Sequence, residues 1–296
     1  MGAGRVGAVL TAALRERGYV ITAAAGESTA SRSRIDTLLP GVPVDKPTAV
    51  SRACDLLLLT VPDDMLANVA AMLSASGAIR PGQFVAHTSG RHGLDVLAPA
   101  AGRGAHVLAL HPAMTFTGTA RDLARLPGCV FGVTAGPDTA ELAERLVLDL
   151  GGTPVTVPEQ LRTLYHAGLA HGANHLGTLV AQSMDLLRAA GVDDPAATLR
   201  PLLSAALDNA LDDGDAALTG PIVRGDVETV RAHLAELAAH EPDALESYVA
   251  LARATANRAV LDGRLLPIRA AKLVGILNDV QTDTAGRSAT SDVRLR

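Results

Sequence analysis

The sequence predicts an α/β fold: a parallel sheet with crossover helices, followed by an all-α second part. Three observations carry this expectation. Short apolar runs alternate with helical patterns up to residue 157, as repeated strand–helix–strand units require. From Pro158 onward only helical periodicity continues. The chain also opens on Gly2-Ala3-Gly4-Arg5-Val6-Gly7, a G-x-G-x-x-G loop running directly into an apolar helical stretch from Val6 to Leu14.

Such a loop has a physical purpose at each glycine. The first makes a tight turn, the second lets backbone N–H groups approach a pyrophosphate, and the third lets the helix pack on the sheet. The helix N-terminus then presents partial positive charge to the phosphates. The expected fold is therefore Rossmann-type, with Gly2, Gly4, Arg5, Val6 and Gly7 at the cofactor. A strand normally precedes the loop, and only Met1 does so here. The expectation is a first strand that is truncated or whose residues lie upstream of Met1.

The remaining elements follow in order. Tyr19 to Ala25 reads as a strand, as does Asp55 to Val61 with its four consecutive leucines. Gln83 to His87, His106 to Leu110, Cys129 to Thr134 and Thr153 to Val157 complete the sheet. Buried parallel strands are continuously apolar, and several of these are. Helical patterns then cover Glu159 to Ala190, Pro195 to Leu211, Asp226 to Ala239, Asp243 to Leu261 and Pro267 to Leu277. Prolines near the starts, with Gly191 and Gly263 after the ends, match helix-capping preferences. The expected organisation is a dinucleotide domain over 1–157, a helical substrate and dimerisation domain over 158–281, and a disordered tail over 282–296.

Composition limits the partners. Across 296 residues, 48% are apolar and only 2% aromatic, so the cores must rest on aliphatic packing. A net charge of −5 argues against nucleic acid or an anionic membrane. No apolar run approaches the ~18 residues a membrane span needs, and no signal-peptide pattern is visible. Cys54 and Cys129 form no framework, which fits a reducing cytoplasm. The only lysines are Lys46 and Lys272.

The second strand end tells on the cofactor. An NAD site places a carboxylate about 20 residues past the glycines, for the ribose 2′-hydroxyl. Here that stretch is Thr22-Ala23-Ala24-Ala25-Gly26, followed by Glu27-Ser28-Thr29-Ala30-Ser31-Arg32-Ser33-Arg34, whose hydroxyls and guanidinium groups suit a phosphate. Ser28, Ser31 and Arg32 suit a 2′-phosphate, so NADP is favoured, with Glu27 kept as a candidate for the ribose. At the next strand end, Val61, Pro62 and Asp63 are expected along the nicotinamide half.

Two further strands end in histidine-bearing loops, His87-Thr88-Ser89-Gly90-Arg91-His92 and His111-Pro112-Ala113-Met114-Thr115-Phe116-Thr117-Gly118. Strand ends of an open parallel sheet border the ligand crevice. His87, Thr88, Ser89, His111 and Pro112 are therefore candidate substrate contacts. The first helix of the second part carries Tyr165-His166-Ala167-Gly168-Leu169-Ala170-His171-Gly172-Ala173-Asn174-His175. His166 and Asn174 share a helical face. His171 and His175 lie four apart, but no third ligand is evident, so no metal is expected.

Taken together, the glycine loop, Val61-Pro62-Asp63, His87-Thr88-Ser89-Gly90, Leu110-His111-Pro112-Ala113-Met114-Thr115-Phe116 and the Tyr165-His166…Ala173-Asn174 helix resemble a family of Rossmann-like oxidoreductases. Leu218-Thr219-Gly220-Pro221 and Arg224-Gly225-Asp226 also fit. The C-terminal half of that family is catalogued as a domain of unknown function. It is similar to the 6-phosphogluconate dehydrogenase C-terminal-like superfamily, with ketopantoate reductase and pyrroline-5-carboxylate reductase as relatives. The resemblance implies NADPH-dependent reduction of a small 2-oxo acid, ketopantoate (2-dehydropantoate) first, in pantothenate biosynthesis, by a homodimer built through the helical domain. Ketopantoate reductases use a helix lysine and asparagine. This helix has no lysine, so His166 or His171 with Asn174 would have to serve, His166 first as proton donor. The alternatives are an imine reductase of the pyrroline-5-carboxylate type and a non-catalytic NADP-binding sensor or scaffold.

Overall fold

The structure is a computed structural model and describes residues 1–291. Helix α1 (Arg5–Glu16) follows the glycine loop, and α2 (Thr29–Leu38) and α3 (Pro47–Arg52) precede β1 (Leu56–Leu59). Then α4 (Asp63–Ala75) leads to β2 (Phe84–His87), α5 (Ala98–Ala101) to β3 (His106–Pro112) and α6 (Ala120–Leu123) to β4 (Val130–Ala135). Helix α7 (Ala140–Asp149) leads to β5 (Thr153–Thr156). The helices that follow are α8 (Arg162–Ala189), α9 (Pro195–Asp213), α10 (Pro221–Arg224), α11 (Val227–His240), α12 (Pro242–Leu261) and α13 (Pro267–Ser291).

The five strands lie in chain order. All neighbours are parallel except β3 and β4, which run antiparallel, so the sheet is mixed rather than wholly parallel. The reversal follows from the connection. Residues 113–129 carry only the single-turn α6, and an antiparallel neighbour needs no helical crossover.

Tyr19 to Ala25 is not a strand. Only Ala24 pairs, in a lone parallel bridge to Val44. The place between this segment and β1 is filled by Met1 and Gly2: the Met1 carbonyl accepts from Thr60 N–H at 2.8 Å, and Gly2 N–H donates to Ala25 O at 3.0 Å. Tyr19 to Ala23 therefore has no ladder partner, and Val20 is 87% exposed. An apolar run without a hydrogen-bonding neighbour cannot hold a strand.

Alternation along β1 sends its side chains to two layers. Leu57 and Leu59 pack with Leu66, Ala70 and Leu73 of α4 and with Leu97 and Ala100. Leu56 and Leu58 face Val9, Leu10 and Leu14 of α1 and Leu146, Val147 and Leu150 at α7. Each fully buried leucine contributes about 1.5–3 kcal/mol of transfer free energy. The helices beyond form their own core, with Val230, Leu234 and Leu237 of α11 packed among Leu245, Val249, Ala252, Ala256, Leu273 and Leu277. These repeats of three and four are the stripe an amphipathic helix buries.

The chain divides into two compact units, Met1–His175 and the residues from Leu176 on. The change from sheet to helix falls near Pro158, as the composition shift indicates, but the first unit also takes in the first half of α8. Helix α13 runs on to Ser291, so the first part of the tail expected from 282 is helical; residues 292–296 lie outside the described residues.

Candidate active site

The glycine loop leads directly into α1 and packs against Thr60 and Val61, which follow β1. Gly2 has φ +86°, and a side chain there would press on the Thr60 and Val61 backbone at 2.8 Å. Gly7 faces Thr60 so closely that any Cβ would collide with the Thr60 hydroxyl. That hydroxyl in turn donates to Gly2 O at 2.7 Å. Gly4 differs: a Cβ would meet only Gly2 O, at 3.8 Å. The second glycine thus faces open space, as close approach of a phosphate requires. The first intrahelical bond runs from Ala8 N–H to Gly4 O, so the N–H groups of Arg5, Val6 and Gly7 precede it at the positive end of α1.

Beside this loop lies the start of α2. Ser28 is its N-cap and accepts from Ser31 N–H at 3.1 Å, and Ser28 Oγ also meets Ser31 Oγ at 3.0 Å. Both expected phosphate-binding serines are thus engaged in capping. Arg32 is exposed. Arg34, which closes the same Ser/Arg stretch, converges with Arg5 on Gly118: a Cβ there would lie 2.8 Å from Arg34 Nε and 3.0 Å from Arg5 Cγ. Gly118 is held by Asp122, whose carboxylate accepts from Thr117 and Gly118 N–H at 2.8 and 2.7 Å. These bonds keep the Asp122 carboxyl below the usual range against the opposing effect of burial, which is the larger single influence. The two guanidinium groups stand by the helix N-terminus as cations available for an anion.

At the strand end after β1, Val61 is half-buried and Pro62 exposed. Asp63 opens α4 and pairs with Arg91 at 3.6 Å. That pair is partly exposed and worth little by itself.

The loop after β2 corrects two expectations. His87 is fully buried, with Nε2 2.8 Å from Gly93 O and Nδ1 accepting from Ser89 N–H at 3.1 Å. Both ring nitrogens are used inside the loop, so His87 ties the loop down instead of reaching a substrate. Burial pushes its pKa down to about 4, and the ring is neutral. Ser89 is similarly occupied: its Oγ accepts from His92 N–H at 3.1 Å and its carbonyl from Arg162 Nη2 at 2.6 Å. Thr88 is half-buried and keeps its hydroxyl free of partners. Glu159 completes the clasp, accepting from Leu94 and Asp95 N–H at 2.8 and 3.2 Å.

The loop after β3 meets α8. His111 Nδ1 lies 3.2 Å from the Tyr165 hydroxyl. Its ring stands perpendicular to both Tyr165 and His166, with centroids 5.6 Å away in each case. Two glycines make the space. A Cβ on Gly90 would collide with His166 and lie 2.9 Å from His111 Nε2; one on Gly132 would lie 2.6 Å from the Tyr165 hydroxyl. Burial, reinforced by the His166 and Arg162 charges, lowers the His111 pKa to about 4. Pro112 is buried at the strand end. Beneath them Arg162 is fully buried, and its Nη1 donates to Thr134 Oγ1 at 2.9 Å.

The structure therefore brings His166 and His111 together. His171 is elsewhere: it is exposed and its Nδ1 meets that of His175 at 2.8 Å. Asn174 is exposed, two helical turns beyond His166. Among the described residues no group of three or more histidine, cysteine or acidic side chains could hold a metal. Arg162, Tyr165 and Glu159 were missing from the expected set. Arg162, Tyr165 and His166 stand at helical spacing, and that spacing was the available signal.

Residues 1–112 match the profile of a Rossmann-like domain, and residues 129–255 match that of a domain of unknown function, DUF2520. The chain pairs a Rossmann-like domain with a DUF2520 domain. No curated protein matches it. Among solved structures it is similar to a presumptive NADP oxidoreductase from Bacteroides fragilis, with TM-score 0.74 and 20% identity over 86% of this chain and 96% of that one. It is also similar to an imine reductase from Myxococcus stipitatus in complex with NADP+, with TM-score 0.64 and 16% identity over 86% and 92%. A pyrroline-5-carboxylate reductase from Coxiella burnetii follows, with TM-score 0.53 and 14% identity over 87% and 95%. These likenesses establish the fold of this Rossmann-like and DUF2520 pairing.

Proposed function

We propose that the protein is an NADPH-dependent reductase acting on the C=O or C=N group of a small acid. One observation carries the reading: a glycine loop open at Gly4 packs on the residues after β1, and a pair of imidazoles, His111 near the end of β3 and His166 of α8, stand together at Gly90 after β2. When bound, NADPH supplies the hydride. The glycine loop would hold its pyrophosphate, and Arg5, Arg34 and Arg32 its 2′-phosphate. His166 would donate the proton to the heteroatom, Thr88 would contact the substrate's carboxylate, and Asn174 would orient the reacting group. The named structural neighbours act on imines or bind NADP+, which supports a reductase reading.

Ketopantoate is the first substrate by family resemblance. A cyclic imine acid is the second reading, and one observation favours it: His111 is neutral, and an iminium substrate brings its own charge and needs less acid assistance. NADPH oxidation measured with ketopantoate, with pyrroline-5-carboxylate and with neither separates the two. NADPH binding without turnover of either would instead favour the sensor or scaffold reading. We further place a homodimer at the helical half, because Leu202, Leu207 and Leu211 of α9 are 64, 49 and 75% exposed. No helix among the described residues is long and apolar enough to cross a membrane, and a cytoplasmic site fits the two free cysteines.

A further inference from the structure

We infer that Tyr165 is a positioning residue that fixes His111 as the Nε2–H tautomer, so that His111 offers a neutral hydrogen-bond donor to the reacting heteroatom. The inference deepens the reductase reading and rests on it for the donor's target.

His111 Nδ1 and the Tyr165 hydroxyl lie 3.2 Å apart, and one of them must donate. If His111 donated, the phenolic hydrogen would need a different acceptor, and the described residues provide none. A phenol is also the more acidic donor of the two. If Tyr165 donates, the phenol and Nδ1 satisfy each other, and the remaining hydrogen sits on Nε2, which faces the gap at Gly90 where a reacting group could accept it.

Placement then gives that hydrogen its direction. Nε2 is the edge of the ring nearest Gly90, where a Cβ would come within 2.9 Å. Position 90 has no side chain, so the Nε2 edge borders the gap that glycine leaves at the end of β2, next to His166. No protein acceptor meets Nε2 among the described residues. Tyr165 is held in turn by Gly132, whose missing side chain admits the phenol ring.

The electrostatics agree. Burial pushes the Tyr165 phenol up, so the hydroxyl keeps its proton. Burial also keeps His111 uncharged at neutral pH, and a neutral imidazole has one hydrogen to place. Among the described residues no carboxylate hydrogen-bonds to His111, and the phenol does the orienting that a carboxylate often does. His166 remains the proton donor of the proposed reaction, and His111 stabilises negative charge developing on the heteroatom.

The test is the Tyr165→Phe variant, read by nitrogen-15 two-bond correlation spectra of the full chain, with His111 assigned through His111→Gln. The parent should show a bare Nδ1 and a protonated Nε2 on His111 at about pH 7, unchanged down to about pH 5. The variant should show the Nδ1–H form appearing. Turnover of ketopantoate, whose oxygen develops negative charge, should fall about tenfold with NADPH affinity unchanged, and turnover of an iminium such as protonated pyrroline-5-carboxylate should fall less. A parent His111 protonated on Nδ1, or a variant spectrum identical to the parent's, overturns the inference. Should Tyr165→Phe not fold, the parent spectrum decides alone. Should neither probe be reduced, the reductase reading fails and the spectra still decide the tautomer.

Discussion

Arg162 Nη2 donates to the carbonyl oxygen of Ser89 over 2.6 Å, joining the start of α8 to the loop after β2 across 73 positions of sequence. The guanidinium is fully buried, and no carboxylate lies within ion-pair distance of it among the described residues. Its charge is balanced by backbone and hydroxyl oxygens, and burial lowers its pKa.

The first prediction concerns that bond. Arg162→Met keeps the apolar stem but leaves Ser89 O and Thr134 Oγ1 without their donor. Loss of stability of about 2–4 kcal/mol is expected. Urea unfolding of parent and variant measures it, and a change below about 0.5 kcal/mol would mean the buried guanidinium contributes nothing net.

A second prediction concerns the cofactor. Arg34 and Arg5 converge at Gly118, whereas Arg32 is exposed. NADPH should bind more tightly than NADH, and Arg34→Ala should narrow the gap roughly ten- to a hundredfold, more than Arg32→Ala does. Isothermal titration with both nucleotides checks it; equal affinities in the parent would defeat the phosphate assignment.

The third prediction is a pH dependence. His87 and His111 have folded pKa values of about 4, against 6.5 when free. Below pH 6.5 the unfolded chain takes up protons that the native rings refuse. Stability is therefore complete above about pH 6.5 and declines as pH falls toward 4. The unfolding midpoint in urea should drop between about pH 7 and pH 5, and His87→Gln should flatten part of that slope. A level profile in the parent would contradict both buried neutral rings.

A fourth prediction separates the two helix histidines. His166 touches His111, while His171 pairs with His175 on an exposed face. His166→Ala should lower kcat by about 10²–10⁴-fold with little change in NADPH affinity. His171→Ala should leave kcat within about twofold. The reverse outcome would exchange their roles.

Much of the fold was legible because periodicity reports burial. The leucines of β1 and the three- and four-residue stripes of α11 and α12 each follow from a side that must leave water. Tyr19 to Ala25 misled for the same reason, since apolar character reports burial and says nothing about a hydrogen-bonding neighbour. The reversal of β4 was hidden because strand direction depends on the connection. At the site, strand-end position marked His87 and His111 alike and could not tell which ring the loop would close on. That difference is set by Gly93 and Ser89 closing on the His87 ring, contacts that depend on how the loop folds. Tyr165 was visible in the motif, yet its partner 54 positions earlier was not.

Gly90 and Gly132 carry a consequence for how this chain can vary. Both are positions where the neighbouring rings of His111, His166 and Tyr165 occupy the volume a methyl group would need. In a deep substitution scan, alanine is ordinarily among the gentlest replacements, yet at these two positions it should rank with the most damaging. Tolerance would rise sharply at Arg91, one residue away and exposed. A lineage seeking new substrates could then alter the rim freely, but it would have to rebuild three aromatic rings together before either glycine could change.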